Sequence, residues 1–232
     1  ATAVRMAVTG HRLDRPRCMG TLYWQLNDCW PAPTWSSIDN NWNWKALQYW
    51  MKEDYADVAI LQQEEGGKYT YFLSSDVVDT FMCDIKFSVF DLNGKMLFDT
   101  NVGQLVQGVE NSKICMKNVE KRLEGKNCVI RFDWKNESGQ TMTRTFSQLP
   151  QTYDKAANRT LSLVVESVDE VKKELVVKIS TKDYLRTFWI YSNQPGLVFD
   201  RNFIDLLPGD HLISIRYADK LPDLKGFGIC WM

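Results

Sequence analysis

The feature that most constrains the fold is an alternation of apolar and polar residues that begins near Val58 and recurs toward the end of the chain. Residues 81–89 place Phe, Cys, Ile, Phe and Val at every second position, and residues 128–134 repeat the pattern. A period of two is that of a strand with one face on a core. Turn dipeptides such as Asn93-Gly94 and Pro208-Gly209 separate these stretches. The sequence therefore predicts a mainly β protein.

The alternating region divides into two immunoglobulin-like β-sandwich domains. Residues 57–154 hold several predicted strands within about 95 residues, with the turn spacing that is typical of such sandwiches. A polar stretch at 149–158 is predicted to be a linker. Residues 155–232 are predicted to form a second, smaller sandwich, with strands at 161–165, 175–179, 187–191, 198–199 and 212–217.

The beginning of the chain is predicted to be helical. Residues 1–12 are good helix formers, and Gly10 is expected to stop the helix. The loop that follows holds Arg12, Arg15 and Arg17. We interpret it as a solvated basic loop, and ligand binding is the alternative.

One strand-like segment comes next. Leu22, Trp24 and Leu26 share one parity, so in a strand they point to the same side. Asn27 and Asp28 are polar residues at the point where such a strand should end, and a proline three residues later forbids a continuing ladder. Apolar side chains within a strand, with aromatic and polar groups at its end, are typical of a (β/α)8 barrel strand.

Aromatic residues are concentrated in the same part of the chain. Six of the nine tryptophans lie between residues 24 and 50. Aromatic rings stack on the apolar faces of sugars, but most buried tryptophans belong to a core. We take core packing as the rule here, and Trp24 as the exception because of its place near the strand end. A helix is predicted after Asn43, a plausible N-cap, and in a barrel it would cover the outside of the strand.

At this point the sequence resembles a known family, the β-mannosidases of glycoside hydrolase family 2. The resemblance covers about thirty residues of the family's eighth barrel strand and last helix: the run 18–31, then Trp35-Ser36-Ser37-Ile38-Asp39 and Trp44-Lys45-Ala46-Leu47. It continues weakly at Phe203-Ile204-Asp205-Leu206-Leu207-Pro208-Gly209, which matches a segment of the family's last domain.

The resemblance implies a fold and a site. The chain would be the C-terminal part of such an enzyme, with residues 1–56 as the last strand and helices of a (β/α)8 barrel ahead of the two sandwiches. The tryptophan that matches Trp24 helps form the family's subsite for the cleaved sugar. Trp24, Asn27 and Asp28 are therefore the candidate substrate-binding residues. For Asp28 a loop-ordering contact remains the alternative. The pattern favours mannosidases and glucosaminidases over galactosidases and glucuronidases.

The chemistry of the family requires groups that this chain lacks. A retaining glycosidase needs two carboxylates about 5 to 5.5 Å apart. The resemblance implies that both are glutamates on earlier barrel strands. The first glutamate here is Glu53, on the last predicted helix, and Asn136-Glu137 falls in a predicted hairpin turn. We therefore expect no catalytic residue in this chain, which we interpret as a fragment.

Composition excludes several other classes of function. The formal net charge is −1, which gives no reason to expect nucleic acid or an anionic membrane as a partner. Six cysteines without a Cys-x-x-Cys pair, and only two histidines, argue against a metal site. Cys83 and Cys128 lie on apolar strand faces, so we expect buried free thiols.

The expected partners follow from the resemblance. They are a carbohydrate, a terminal β-mannoside, and the remainder of the chain's own catalytic barrel, without any cofactor. The location implied for the parent is secreted, periplasmic or lysosomal. The alternative is a non-catalytic carbohydrate-binding or interaction module, because β-sandwiches serve many functions.

We predict that the purified 232-residue chain hydrolyses no aryl β-mannoside, because it lacks both catalytic glutamates. Release of p-nitrophenol from p-nitrophenyl β-mannoside is the measurement, with buffer as the control. Turnover above the buffer rate that co-purifies with the chain through two chromatographic steps contradicts the prediction.

Overall fold

A computed structural model of the chain describes residues 1–115, 123, 126–136, 138–149 and 160–232. The described helices are α1 (Thr2–Leu13) and α2 (Ala46–Asp54), with a short 3-10 helix at Leu224–Gly226. The described strands are β1 (Val58–Glu65), β2 (Lys68–Ser75), β3 (Thr80–Phe90), β4 (Met96–Gln107), β5 (Asn111–Lys113), β6 (Cys128–Lys135), β7 (Thr141–Gln148), β8 (Leu161–Asp169), β9 (Glu174–Thr181), β10 (Leu185–Ser192), β11 (Leu197–Phe199), β12 (Ile204–Leu206), β13 (Gly209–Tyr217) and β14 (Phe227–Cys230).

The chain divides into two compact units. Unit 1 contains Ala1–Leu22, Met51–Asp91 and Lys95–Gln151. Unit 2 contains Tyr23–Trp50, Leu92–Gly94 and Thr152–Met232. The predicted boundary at 154/155 lies outside the described residues. So does the predicted linker, except for residue 149. The predicted boundary at 56/57 stays a prediction.

Unit 1 is an antiparallel sandwich. Its sheets have the strand orders β1-β2-β5 and β4-β3-β6-β7, the seven-strand plan of an immunoglobulin-like domain. The predicted alternation is confirmed in β3, where Cys83, Ile85 and Phe87 are no more than 1% exposed while Met82 is 61% exposed. Tyr71 from β2 packs on Phe132 from β6, with ring centroids 5.0 Å apart, so the two sheets share one core.

Helix α1 runs past the glycine that was expected to end it. Gly10 lies inside the helix, and its carbonyl accepts the amide of Asp14 at 3.0 Å. The prediction of a stop at Gly10 is therefore wrong. The cause is tertiary: the side chain of Arg12, in the last turn, is held by Ser74 and by the carbonyl of Asp54. These bonds offset the roughly 1 kcal/mol cost of a glycine within a helix.

The basic loop is also different from its prediction. Arg12 is buried, and Arg15 donates to the carbonyl of Ser75 at 2.8 Å and pairs with Asp76. Only Arg17, whose side chain is 89% exposed, fits the solvated loop. The spacing of basic residues in the sequence does not reveal the buried carbonyl groups that these arginines reach.

The carboxylate of Asp54, at the end of α2, is a fully buried charged group of unit 1. Its side chain is 0% exposed. Arg5 from α1 approaches Oδ2 with Nε at 3.1 Å, and Arg144 from β7 pairs with Oδ1. Arg144 also donates to the carbonyl of Ile60 at 2.9 Å. A buried charge without these partners is strongly unfavourable, so the ion pairs attach α1 and the end of α2 to the sandwich.

Unit 2 is a second antiparallel sandwich, with sheets β11-β13-β9-β8 and β12-β10-β14. Its core contains Val177, Phe188 and Ile215, together with Tyr49 from α2. The five strands predicted for this part of the chain are confirmed as β8, β9, β10, β11 and β13. The short strands β12 and β14 have too few residues for a periodic signal, and the sequence did not predict them.

The motif at 203–209 holds an irregular part of this sandwich together. Strand β10 has a register shift between Leu185 and Phe188 against β12. Asp205 accepts the amide of Thr187 and the hydroxyl of Tyr184, both at 2.8 Å, next to this shift. Immediately before the motif, the Asn202 side chain accepts the amide of Ile190 at 2.9 Å and donates to its carbonyl at 2.8 Å, as the backbone of a neighbouring strand would. In unit 2 the motif therefore has a structural role.

All six cysteines are free thiols. Cys83 and Cys128 are buried, as predicted, and burial raises the pKa of each thiol to about 11. Both therefore remain protonated and unreactive at neutral pH.

We expect Arg144→Met to lower the free energy of unfolding of unit 1 by about 3 kcal/mol, because it leaves the buried carboxylate of Asp54 with one partner fewer. The matched control is Arg131→Met on β6, whose pair with Asp133 is half exposed, and which should cost below about 1 kcal/mol. Urea unfolding followed by the 19F resonance of 5-fluorotryptophan at Trp134, the single tryptophan of unit 1, is the measurement. Equal losses in the two variants contradict the prediction.

Candidate functional site

The segment that was predicted to be a barrel strand does not belong to any sheet among the described residues. Its backbone is paired at one place, where Asn27 and Ile38 form an isolated parallel bridge. The amides of Ser37 and Ile38 donate to the carbonyl of Leu26 at 3.1 and 2.9 Å, and the amide of Asp28 donates to Ile38 at 3.0 Å. The prediction of a strand is therefore wrong for this structure, because a ladder needs neighbouring strands and the described residues supply only a two-residue partner.

The side chains nevertheless alternate in exposure as a strand's would. Leu22, Trp24 and Leu26 are 99%, 81% and 54% exposed, whereas Tyr23 and Gln25 are half-buried. Within the described residues the Trp24 indole makes no hydrogen bond or ring contact. It is presented to solvent.

Two further side chains support this segment from its buried side. Ser37 is completely buried, and its Oγ lies 3.0 Å from Tyr23 Oη, 2.7 Å from Gln48 Oε1 and 2.9 Å from the carbonyl of Leu26. Tyr23 Oη is also 3.3 Å from Gln48 Oε1. Ser37 was part of the motif that carried the resemblance, but nothing in the sequence assigned a role to it or to Gln48.

The carboxylate of Asp28 is buried within its own loop. Its Oδ2 accepts Lys45 Nζ at 2.6 Å, and its Oδ1 accepts the hydroxyl of Thr34. Lys45 Nζ also donates to Ser36 Oγ at 2.7 Å. The hydrogen bond from Lys45, followed by that from Thr34, lowers the pKa of Asp28 below its ordinary value. These contacts favour the loop-ordering role of Asp28, the alternative that the sequence left open, while direct contact with a substrate stays a prediction.

Asn27, the third candidate residue, lies between Trp24 and Asp28 and is half-buried. Its side-chain amide donates to the carbonyl of Asp28 at 3.3 Å, and its own carbonyl accepts Gln25 Nε2 at 3.0 Å. The structure therefore brings Asn27 and Asp28 together at one turn. A role for Asn27 in substrate binding stays a prediction.

The loop that follows is fixed by a second carboxylate. Asp39 Oδ1 accepts the amides of Asn41 and Asn43, both at 2.8 Å. Because Asn43 is used in this turn, α2 begins three residues later, at Ala46. The prediction that Asn43 caps the helix is wrong, since the amide of Asn43 bonds to the preceding loop instead.

The six tryptophans of this region divide into two groups. Trp44 and Trp50 are packed: Trp44 contacts Tyr49 edge to face at 5.2 Å, and Trp50 Nε1 donates to the carbonyl of Phe203 at 3.1 Å. The others are 68% to 81% exposed: Trp24, Trp30, Trp35 and Trp42. Core packing was expected for all but Trp24, and it is wrong for three of them, which lie in bends outside any helix or strand.

A second aromatic group lies on β10 and just before it. Tyr184 and Phe188 of this group are buried in the core of unit 2. Trp189 stacks on Phe203, with centroids 5.6 Å apart. Tyr191 alone is half exposed, and its ring lies against Gly228, where a Cβ would come within 2.1 Å of it. The group does not form a single exposed surface.

Other kinds of site lack support in the described ranges. No group of three His, Cys, Asp or Glu side chains there could hold a metal ion. No helix in that part of the chain has the length and apolar character that crossing a membrane requires.

No family model matches the chain, but it is similar to several known proteins. A β-mannosidase A of Aspergillus fumigatus is 31% identical over 83 residues, which are 35% of this chain and 9% of that protein. The β-mannosidase of Mus musculus is 39% identical over 59 residues, which are 25% of this chain and 7% of that protein. The matched stretches thus span under a tenth of the relatives' length.

Two solved structures share the fold of nearly the whole chain. A β-D-mannosidase from Dictyoglomus thermophilum superposes with a TM-score of 0.73 at 18% identity, over 99% of this chain and 28% of that one. An exo-chitosanase from Amycolatopsis orientalis superposes with a TM-score of 0.67 at 14% identity, over 98% of this chain and 32% of that one. The expected resemblance to the C-terminal β-sandwiches of β-mannosidases is confirmed at the level of fold.

We predict that Asp28→Asn weakens unit 2 more at pH 6 than at pH 3. The folded pKa of Asp28 is lowered, so its ionised form stabilises the fold fully above the unfolded value of 3.8, and this contribution is lost progressively as the pH falls from that value through the folded pKa. Urea unfolding followed by tryptophan fluorescence, which reports mainly on unit 2, is the measurement. Asp210→Asn, which removes an exposed carboxylate from β13, is the matched control. Equal losses at both pH values would show that the charge of Asp28 is irrelevant.

Proposed function

We propose that this chain is the C-terminal part of a retaining, exo-acting glycoside hydrolase that removes terminal β-mannosyl residues. In this proposal residues 1–56 complete the catalytic barrel, and residues 57–154 and 155–232 are its two accessory sandwiches. The two catalytic glutamates belong to the remainder of the barrel. Support comes from the sequence similarity to β-mannosidases and from the shared fold.

The observation that carries the proposal is the exposed indole of Trp24. An 81% exposed tryptophan costs solvation free energy unless something covers it. The carbonyl of Leu26, two residues further on, is held by Ser37, while the Trp24 ring extends into solvent. An aromatic ring fixed in this manner provides a flat wall for the apolar face of a pyranose. In the proposed enzyme, Trp24 forms one wall of the subsite for the cleaved sugar.

The roles of the other candidates differ. Asn27 is half-buried beside Trp24, and its amide could turn toward a sugar hydroxyl at the cost of one long hydrogen bond. Asp28 shapes the loop through Lys45 and Thr34. We propose that Asp28 acts on the substrate through the position of Asn27.

A second candidate function is a carbohydrate-binding module without catalysis. The observation that favours it is the set of four exposed tryptophans, all in unit 2, because exposed rings are what such modules use. This candidate requires the isolated chain to bind β-mannosides. The leading proposal requires the barrel for binding, so calorimetry of the isolated chain with mannobiose separates the two.

In the protein that joins a catalytic barrel to this chain, we expect Trp24→Ala to lower kcat/KM roughly 30- to 900-fold. This is a loss of about 2 to 4 kcal/mol of transition-state stabilisation, because the wall that orients the sugar is removed. Steady-state kinetics on aryl β-mannosides and aryl β-glucosaminides are the measurement, and the better substrate identifies the sugar.

Tyr191→Ala is the matched control, because Tyr191 is an exposed aromatic residue that the proposal places outside the sugar site. It should leave kcat/KM unchanged. A loss below tenfold in Trp24→Ala refutes the role of Trp24.

A further inference from the structure

The Trp24 indole makes no hydrogen bond or ring contact within the described residues, so its position depends mainly on its backbone. Residues on both sides of it are attached to Ser37, Tyr23 through its side chain and Leu26 through its backbone. Before Trp24, the hydroxyl of Tyr23 lies 3.0 Å from Ser37 Oγ. After it, the carbonyl of Leu26 accepts the Ser37 amide at 3.1 Å and lies 2.9 Å from Ser37 Oγ.

The hydrogen-bond geometry defines a direction for these contacts. The shortest distance is the 2.7 Å between Ser37 Oγ and Gln48 Oε1, so the serine hydroxyl donates to that carbonyl oxygen. Ser37 Oγ then accepts the hydroxyl proton of Tyr23. The Leu26 carbonyl still has two donors, the amides of Ser37 and Ile38. In the series Tyr23–Ser37–Gln48, each hydroxyl therefore donates to the next residue, and the last acceptor is the side-chain oxygen of Gln48.

The middle of the series and its Gln48 end are anchored. The backbone carbonyl of Ser37 accepts the amide of Lys45 at 2.9 Å, immediately before α2. Gln48 lies on α2 between Leu47 and Tyr49, which are 3% and 4% exposed. A completely buried serine whose backbone and hydroxyl are both hydrogen-bonded has little freedom to move, and a residue held in this way can orient a functional side chain.

We propose that Ser37 and Gln48 are positioning residues for Trp24, which they act on through Tyr23 and the Leu26 carbonyl. This inference rests on the proposed function only for its catalytic consequence. The placement of the indole is a property of this chain and is testable without a substrate.

The first experiment labels the 232-residue chain with 5-fluorotryptophan and records its 19F spectrum. The Trp24 resonance is assigned by its loss in Trp24→Phe. We expect Ser37→Ala, Gln48→Leu and Tyr23→Phe to shift or split the Trp24 resonance, while those of Trp134, Trp189 and Trp231 stay in place. Gln48→Glu, which keeps an acceptor oxygen at the same position, should restore the original resonance.

Each outcome of this experiment decides the inference. If Ser37→Ala unfolds unit 2, the Trp189 and Trp231 resonances move to the positions of the denatured chain. Tyr23→Phe, which removes a single half-buried hydroxyl, then provides the answer. An unchanged Trp24 resonance in Tyr23→Phe and Gln48→Leu, with the fold intact, overturns the proposal. A shift in Gln48→Glu as large as in Gln48→Leu overturns the assignment of Oε1 as an acceptor.

The second experiment measures kinetics in the protein that includes the barrel. Ser37→Ala and Gln48→Leu should lower kcat/KM about tenfold to a hundredfold, since a displacement of about 1 Å in a positioning group can have that effect. Gln48→Glu should retain most of the activity. If Trp24→Ala is active, the proposed function fails and the 19F result still decides the inference. If Trp24→Ala is inactive and the other two are fully active, the inference fails and the proposed function stands.

Discussion

The candidate site depends on one short pairing of the backbone, between residues 26–28 and residues 37–38. Residues 20–28 lie outside every sheet of the described chain. This bridge, together with the buried hydroxyl of Ser37, therefore determines the path of their backbone. Asp28 and Lys45 keep the intervening loop folded on itself, which holds the two halves of the bridge together. The exposure of Trp24 follows, because a segment that is bonded on one side presents its alternate side chains to solvent.

The fold could be predicted from the sequence wherever the signal is local. The alternation in β3 and β6 requires only that one face of each strand is buried, and the burial of Cys83, Phe87 and Phe132 agrees with it. The prediction was wrong where structure depends on distant groups. Residues 20–28 have the pattern of a strand, but strand pairing is a property of the neighbours. Gly10 remains helical because of bonds that Arg12 makes with residues about 40 to 60 positions away.

The candidate site was only partly predictable for a similar reason. Trp24 could be selected from its parity and its place at the end of a strand-like run, together with the family resemblance. Ser37 and Gln48 could not, because a serine in a polar loop and a glutamine on a helix are common and have no spacing signal. Their meeting with Tyr23 results from the path of the loop, which the two carboxylates at 28 and 39 determine.

The ion pair between Asp54 and Arg144 has a consequence for synthesis of the chain. Its partners are 90 residues apart in sequence. During translation, both helices and the carboxylate of Asp54 leave the ribosome well before β7 is made. Until Arg144 emerges, the carboxylate of Asp54 is either hydrated or paired with Arg5 alone. The β1–β2 hairpin also lacks the facing sheet on which it packs in the folded unit. Completion of unit 1 is thus tied to β7, and a nascent chain that stops before residue 144 has only one of the two arginines that pair with the Asp54 carboxylate in the folded unit.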